Sequence, residues 1–547
     1  MNKNKNVIIF IVDSVRHYST GGNDDRDKLD MMDRFEKESI YFPLTVTSAP
    51  SSIMSLSSML TSLPSYYIAR NYDDFKYDSN QFISLHNILK NSGYDVRSLF
   101  NARELRFLFG DVIKHVDEKF WPKGTNTNQK NWSNATMNEI LKKFLDSESL
   151  KEPFFLLAWY NVRLDPNTSD LIEEAINMLK HNNLWDDSIF ILGSDHGYMD
   201  PRRGFTPENL KARGLSHDLL MTDDNIRIPF YLRYPGSPVK KIENQVSTLD
   251  FLPTVLSLLN IEYPKSQTYN MQGMDLTPLI NDEVDVKDQF EERHVRSDAR
   301  FFAQADRVTA LRDRHYKYIV RPDQNIEEFY HVTEDMWEKN NLIQIQKYAT
   351  LIDSFRKTYQ NSEREIMEFQ LKYLLSKLPV SLKGNGNKLN IIIIGSGEAY
   401  YLDNITQVFK LFWADNASLH LIAQQEVISK MKHTEIYDKV FSIKFDDTSK
   451  LGNQLKSSNK YEHLIILTDT RTRNNQKEYL KKIIPLINYG VKTELNPNME
   501  FVAREKTLLS PKMIFKVIKQ KKDYYLKNPF MIFNHFIKWL KIISKND

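Results

Sequence analysis

Asn6-Val-Ile-Ile-Phe-Ile-Val-Asp13 is the stretch whose reading decides the fold. The apolar run 7–12 is too short for the core of a signal peptide, and no small-residue cleavage site follows it. It reads instead as a buried strand that ends in an aspartate. Similar short runs recur at 96–100, 154–158, 189–192 and 228–232, with helical spacing between them at 27–38, 85–92 and 168–182. Strand–helix alternation of this kind predicts a mostly parallel sheet with helices on both faces.

Further along, residues 341–378 are polar, charged and free of Gly and Pro, which predicts helix. Ser381-Leu-Lys-Gly-Asn-Gly-Asn-Lys388 then reads as a polar linker and the best domain boundary. A second α/β unit follows, with strands expected at 389–394, 419–423, 440–445, 463–468 and 491–495. The expected organisation is therefore a catalytic-type domain over 1–378, a small Rossmann-like α/β domain over 389–505, and a tail over 506–547.

A length of 547 residues suits more than one domain. The net charge of +3 is too small for this size to argue for nucleic acid as a partner. There are no cysteines, which removes disulfides, zinc–thiolate sites and cysteine nucleophiles together and fits a reducing compartment. No stretch approaches the roughly 18–20 apolar residues that span a bilayer. A cytoplasmic protein is the expectation.

In open α/β sheets, ligands bind beyond the carboxyl ends of strands. Asp13 directly follows its strand, and Asp195, joined by His196 and Gly197, follows the run at 189–193. Taken alone, an aspartate in such a place is a helix cap or a turn residue. Two such ends on neighbouring strands would instead supply carboxylate and imidazole ligands to one cation.

Several motifs decide between these readings. Val12-Asp-Ser-Val-Arg16 and Ser194-Asp-His-Gly197 resemble the two metal motifs of sulfatase-like members of the alkaline-phosphatase superfamily. Thr47-Ser-Ala-Pro-Ser-Ser52, with the helix after it, resembles their nucleophile segment. Val246-Ser-Thr-Leu-Asp-Phe-Leu-Pro-Thr254, Gln272-Gly-Met-Asp-Leu-Thr-Pro-Leu279 and the pattern from Tyr316 to Leu342 are similar to later landmarks, in the same order. The resemblance spans residues 5–345. It implies an alkaline-phosphatase/sulfatase-like fold and one divalent metal ion (Mn, Mg or Ca) held by Asp13, Asp195 and His196. It also implies that Ser48 bridges to that metal as nucleophile, with Thr47 as the fallback. His217 falls where the family places a His or Lys to bind an oxyanion or protonate the leaving group. Arg16 and Arg163 are expected to stabilise charge.

The sequence departs from the family in three places. Sulfatases that mature a Cys or Ser to formylglycine carry it in C/S-x-P-S-R, and Ser52 stands here in place of the Arg. That favours an unmodified serine and a phosphoester over a sulfate. Two histidines expected near Trp159 and Leu164 are missing, leaving Tyr160, Asn161 or Arg163 to take their hydrogen-bonding role. Tyr67 replaces a histidine expected after the nucleophile helix, with Arg70 and Asn71 nearby.

Beyond the resemblance, Gly395-Ser-Gly397 after a strand hints at phosphate contact, but Tyr400 breaks the full glycine spacing. The tail carries ten lysines against two aspartates, and Phe533, Phe536, Ile537, Leu540 and Ile543 share one helical stripe. It reads either as a basic amphipathic surface for the anionic inner membrane face or as a helix docked on its own domain. The functional expectation is a metal-dependent hydrolase or transferase of a phospho- or sulfo-ester on a glycan or lipid-linked carbohydrate. The rival reading is a catalytically inactive, glycan-binding scaffold of the same fold.

Overall fold

The computed structural model describes residues 5–17, 29–68, 83–110, 113–125, 131–148, 150–162, 167–200, 219–263, 271–299, 307–322 and 324–377. It also describes Asp165, Arg203 and, within 389–504, the strands and some connections of a second unit. Arg163, His217, the 381–388 linker, Gly397 and the tail from Lys506 lie outside the described residues. The chain divides into two compact units, residues 1–376 and 377–547.

Among the described residues, the first unit is built on a seven-stranded sheet. Its strands are β1 (Asn6–Asp13), β2 (Ile40–Tyr41), β4 (Asp95–Phe100), β5 (Phe154–Asn161), β6 (Ser188–Ser194), β8 (Phe230–Arg233) and β9 (Lys240–Lys241), in the order β4-β5-β1-β6-β8-β2-β9. A small sheet joins β3 (Thr45–Val46), β7 (Arg227–Ile228) and β10 (Val246–Ser247). The pairs β4–β5, β5–β1 and β1–β6 are parallel, whereas β8 is antiparallel to both β6 and β2.

Every residue from Val7 to Val12 is fully buried, because both faces of β1 are covered. Val7, Ile9 and Ile11, with Phe155, Leu157 and Trp159, pack toward helices α2 (Ser52–Thr61), α3 (Leu85–Asn91) and α6 (Phe251–Leu259). Ile8, Phe10 and Val12, with Leu156, Ala158 and Tyr160, pack toward α1 (Asp30–Phe35), α4 (Asn134–Leu145) and α5 (Thr168–His181). The period-two alternation of the strands thus sorts one continuous apolar run into two cores.

One expected strand is two. The run at 228–232 is interrupted at Pro229, which has no N–H to give a ladder. Arg227–Ile228 therefore pairs with β3, and Phe230–Arg233 pairs with β6 and β2. The Pro229 carbonyl is not wasted, since it accepts the Ser194 N–H at 3.3 Å.

A four-stranded antiparallel sheet completes the unit: β11 (Val295–Ala299), β12 (Val308–Arg312), β13 (Tyr316–Arg321) and β14 (Ile326–His331). Helix α7 (Ala349–Lys377) covers it, with Ile352 and Phe355 packed against Leu311, Tyr318 and Phe329. The helix begins later than the 341 expected from composition, because 341–348 form turns and a short 3-10 segment.

The second unit holds a six-stranded sheet of β15 (Leu389–Ser396), β16 (Ala417–Gln424), β17 (Lys439–Ile443), β18 (Tyr461–Thr468), β19 (Tyr489–Leu495) and β20 (Phe501–Arg504). The order β17-β16-β15-β18-β19-β20 is that of a Rossmann-type sheet, parallel except at the β19–β20 edge. No helix among the described residues is long and apolar enough to cross a membrane.

A buried ion network ties the helical turn at Asp223–Ile226, just before β7, to the antiparallel sheet. Arg312 donates to Asp223 at 2.9 Å, Lys317 lies 2.9 Å from the same carboxylate and also pairs with Glu338, and Arg203 bridges Glu338 at 3.0 Å and Asp224 at 2.8 Å. Burial alone would raise the Asp223 carboxyl, but Arg312 and Lys317 outweigh it and hold it well below the usual carboxylate range. Asp223→Ala leaves two cations buried without that partner, so we expect a loss of roughly 3–5 kcal/mol. Urea unfolding of the first unit measures it, with Asp186→Ala, an exposed partner of Arg233, as a control expected to change little.

Candidate active site

The site is assembled where β1 and β6 end side by side. Val12 and Ser194 are in register, so Asp13 and Asp195 leave the sheet next to each other. Ser194 stitches the two ends together. Its hydroxyl accepts the Val15 N–H at 3.0 Å and lies 2.7 Å from both the Val12 and His196 carbonyls. Ser14 sits at φ 60°, a left-handed turn that is uncommon outside glycine. That turn aims its N–H at Asp195 Oδ1 (3.2 Å) and lets its hydroxyl donate to Asp13 Oδ1 (2.8 Å).

Asp13, Asp195 and His196 are all buried, and each offers a ligand atom within 4.8 Å of the others. His196 Nε2 lies 3.6 Å from Asp13 Oδ1 and 3.9 Å from Asp195 Oδ2. Its Nδ1 is 2.7 Å from the Gly197 carbonyl, an acceptor only. With Nδ1 donating to that carbonyl, Nε2 is the ring nitrogen that faces the two carboxylates. Two buried carboxylates and a pre-oriented imidazole fit a divalent cation with oxygen and nitrogen ligands. Among the described residues this is the one group of three such side chains that converges in this way.

The structure does not bring Ser48 against these three side chains. Ser48 is fully buried, and its Oγ accepts the Ser65 N–H at 3.3 Å. It makes no hydrogen bond to Asp13, Asp195 or His196. The hydroxyl brought against the group is that of Ser52, whose Oγ lies 3.2 Å from His196 Nε2. Ser52 is the first residue of α2, with the extended Ser51 as its N-cap. In the sequence this position is marked by the helix start four residues beyond Ser48, where the backbone dipole favours an anion.

Thr47 is committed elsewhere. Its hydroxyl lies 2.7 Å from the Asp195 carbonyl oxygen and 2.8 Å from Ser55 Oγ, and Ser55 also reaches that carbonyl at 2.6 Å. These contacts hold the Asp195 turn over the first turns of α2. Arg16 is fully buried, donates to the Met199 carbonyl at 3.2 Å and faces Asp200 at 3.7 Å, so it ties β1 to the segment after His196.

The residues offered in place of the missing histidines divide. Tyr160 points to the opposite face, where its hydroxyl donates to Asn138 at 3.2 Å. The Asn161 N–H donates to Asn134. Trp159 is brought to the group as well: its indole N–H donates to Asp195 Oδ2 at 2.9 Å. Alternation along β5 was the available signal, since odd-numbered residues face α2. Tyr67 packs on Phe369, with ring centroids 4.6 Å apart, and burial raises its hydroxyl pKa. Asp223, Asp224 and Asp250 are each paired with an Arg, so these carboxylates are engaged in ion pairs of the protein itself.

A mostly parallel sheet whose strand ends gather two carboxylates and an imidazole beside a helix-opening serine defines an alkaline-phosphatase-like protein. Residues 5–161 match the family model described as sulfatase, and residues 213–365 match that of the C-terminal part of N-sulphoglucosamine sulphohydrolase. The chain belongs to the sulfatase family of the alkaline-phosphatase-like superfamily. It is 28% identical over 188 residues to an ulvan-active sulfatase of Formosa agariphila, covering 33% of this chain and 34% of that protein. It is 29% identical over 105 residues to a lipoteichoic acid synthase of Staphylococcus saprophyticus, covering 19% of this chain and 16% of that one. The chain thus spans about a third or less of the length of these curated relatives. In fold it is similar to a phosphonate monoester hydrolase from Silicibacter pomeroyi, with a TM-score of 0.52 at 13% identity over 66% of this chain and 96% of that chain.

Two tests address the site directly. Addition of Mn²⁺ should raise the first thermal transition, and Asp195→Asn should abolish that shift, because a ligand bound only by the folded state stabilises it. Gly197→Ala should also abolish the shift: its Cβ would stand 2.0 Å from the Asp224 carbonyl oxygen, which forces the His196 turn to move.

Proposed function

We propose that the protein is a metal-dependent hydrolase or transferase of phospho- or sulfo-esters in which Ser52, not Ser48, supplies the attacking hydroxyl. The observation that carries this reading is the Ser52 Oγ placed 3.2 Å from His196 Nε2, beside Asp13 and Asp195. Asp13, Asp195 and His196 would hold the cation, which supplies charge stabilisation and makes a nearby hydroxyl acidic near neutral pH. Ser52, at the positive end of α2, is placed to lose its proton and attack phosphorus or sulfur. A new Ser52 Oγ–P or Oγ–S bond forms as the ester oxygen leaves, and His217 is proposed as the acid that protonates it. Water or an acceptor hydroxyl then takes the group from Ser52. Arg16 holds the segment after His196 in place, and Arg163 is proposed to neutralise substrate charge.

With Ser52 as nucleophile, Met54 and Leu56 stand where the formylglycine motif has Pro and Arg. That supports an unmodified serine and a phosphoester in preference to a sulfate. The relatives named for activity on ulvan and for synthesis of lipoteichoic acid support a glycan or lipid-linked carbohydrate as the carrier of the ester. The lysine-rich tail supports peripheral contact with an anionic membrane, including the inner face.

The test is turnover of aryl phosphate, aryl phosphodiester and aryl sulfate with Mn²⁺ present. Ser52→Ala should lower kcat by roughly 10³-fold or more, and Ser48→Ala by less than about tenfold. The reverse ranking would return the role to Ser48, and metal binding without turnover on any substrate would favour a binding scaffold.

A further inference from the structure

The Asp195 carboxylate is held by three donors. Oδ1 accepts the N–H groups of Ser14 (3.2 Å) and His196 (2.8 Å), and Oδ2 accepts the Trp159 indole N–H (2.9 Å). Two of these donors are main-chain groups beside the carboxylate. The third comes from β5, which is separated from β6 by the whole width of β1. Neighbouring strands lie about 4.8 Å apart, so the donor strand and the strand that ends at Asp195 are roughly 10 Å apart. Only a long side chain with a donor near its tip bridges that gap. Trp159 is 4% exposed, sits in register with Ile11 of β1, and has a donor-only N–H with no other use in this apolar core.

Oδ2 is also the Asp195 oxygen nearest His196 Nε2, so the indole acts on the atom that faces the candidate metal position. A carboxylate bonded at one oxygen only would turn about its Cβ–Cγ bond. Bonded at both, it presents Oδ2 in one direction.

We propose that Trp159 is a positioning residue for the cation: it reaches across β1 to fix the Asp195 carboxylate in its ligand orientation. The inference rests on the reading of Asp13, Asp195 and His196 as a cation site. Outer partners that orient a metal ligand change affinity by about 10–100-fold when removed.

Mn²⁺ dissociation constants, measured on the full chain by the electron paramagnetic resonance of free Mn²⁺, test it. Trp159→Phe keeps an aromatic ring and deletes the N–H, and it should weaken Mn²⁺ binding by about 10–100-fold. Trp185→Phe is the control. Trp185 is a buried indole on the opposite face, packed on Phe35, so its loss reports general core damage. It should lower the melting temperature without moving the Mn²⁺ constant. Equal affinity of Trp159→Phe and wild type, or equal weakening in both variants, would overturn the positioning role while leaving the cation site intact. Wild-type protein that binds no Mn²⁺, or binds it unchanged in Asp195→Asn, would overturn the cation site and this inference with it.

Discussion

The rest of the site depends on one constraint: the carboxyl ends of β1 and β6 must stay side by side. Their parallel register brings Asp13 and Asp195 together, and two like charges in a buried place oppose that arrangement. The opposing force is a set of short hydrogen bonds. Ser194 Oγ joins both strand ends, Ser14 N–H reaches Asp195 Oδ1, and Thr47 and Ser55 hold the Asp195 carbonyl. Each charge-assisted bond to the carboxylate is worth more than a neutral one, and it counts for more where water is excluded. The left-handed Ser14 turn costs backbone energy, and it is found where that cost aims a donor at a carboxylate.

The ion network extends the same constraint outward. Asp200 follows the His196 turn, its N–H donates to Asp224, and Asp224 meets Arg203, Glu338, Lys317, Asp223 and Arg312 in sequence. The last members belong to β12 and β13 or to the loop after β14. The antiparallel sheet is therefore bound to the segment after His196 through charge as well as through apolar packing. This explains why acidic residues near the site do not compete for a cation: each has a Lys or Arg within ion-pair distance, whereas Asp195 meets none among the described residues.

Much of this was legible in the chain because burial leaves a plain signature. A six-residue apolar run ending in aspartate can be read as a two-sided strand, and β5, β6 and β15 to β19 were equally visible, whereas the edge strand β20 was not. The split at Pro229 was less so, since a proline inside an apolar run marks an interruption without saying which sheets the two halves join. Ser48 and Ser52 show a sharper limit. Both lie in one serine-rich segment, and only the position of the first helical turn decides which hydroxyl meets His196. Trp159 was hidden for another reason: an indole in an apolar strand looks like core, and its N–H acquires meaning only when Asp195 is placed two strands away.

The orientation of His196 follows from a glycine. Gly197 N–H donates to the Asn225 carbonyl at 2.8 Å, and the turn passes so close to Asp224 that any Cβ would collide with backbone. That close approach fixes the Gly197 carbonyl, which accepts the proton on His196 Nδ1. The opposite ring nitrogen then faces Ser52, Asp13 and Asp195. A side chain at 197 would displace the carbonyl, and with it the reason for Nδ1 to carry the proton. The imidazole could then turn or change tautomer, and the Nε2 donor would be lost from a group whose carboxylates were still in place. The candidate cation site is therefore specified by three side chains and by one backbone carbonyl, whose position depends on the absence of a side chain.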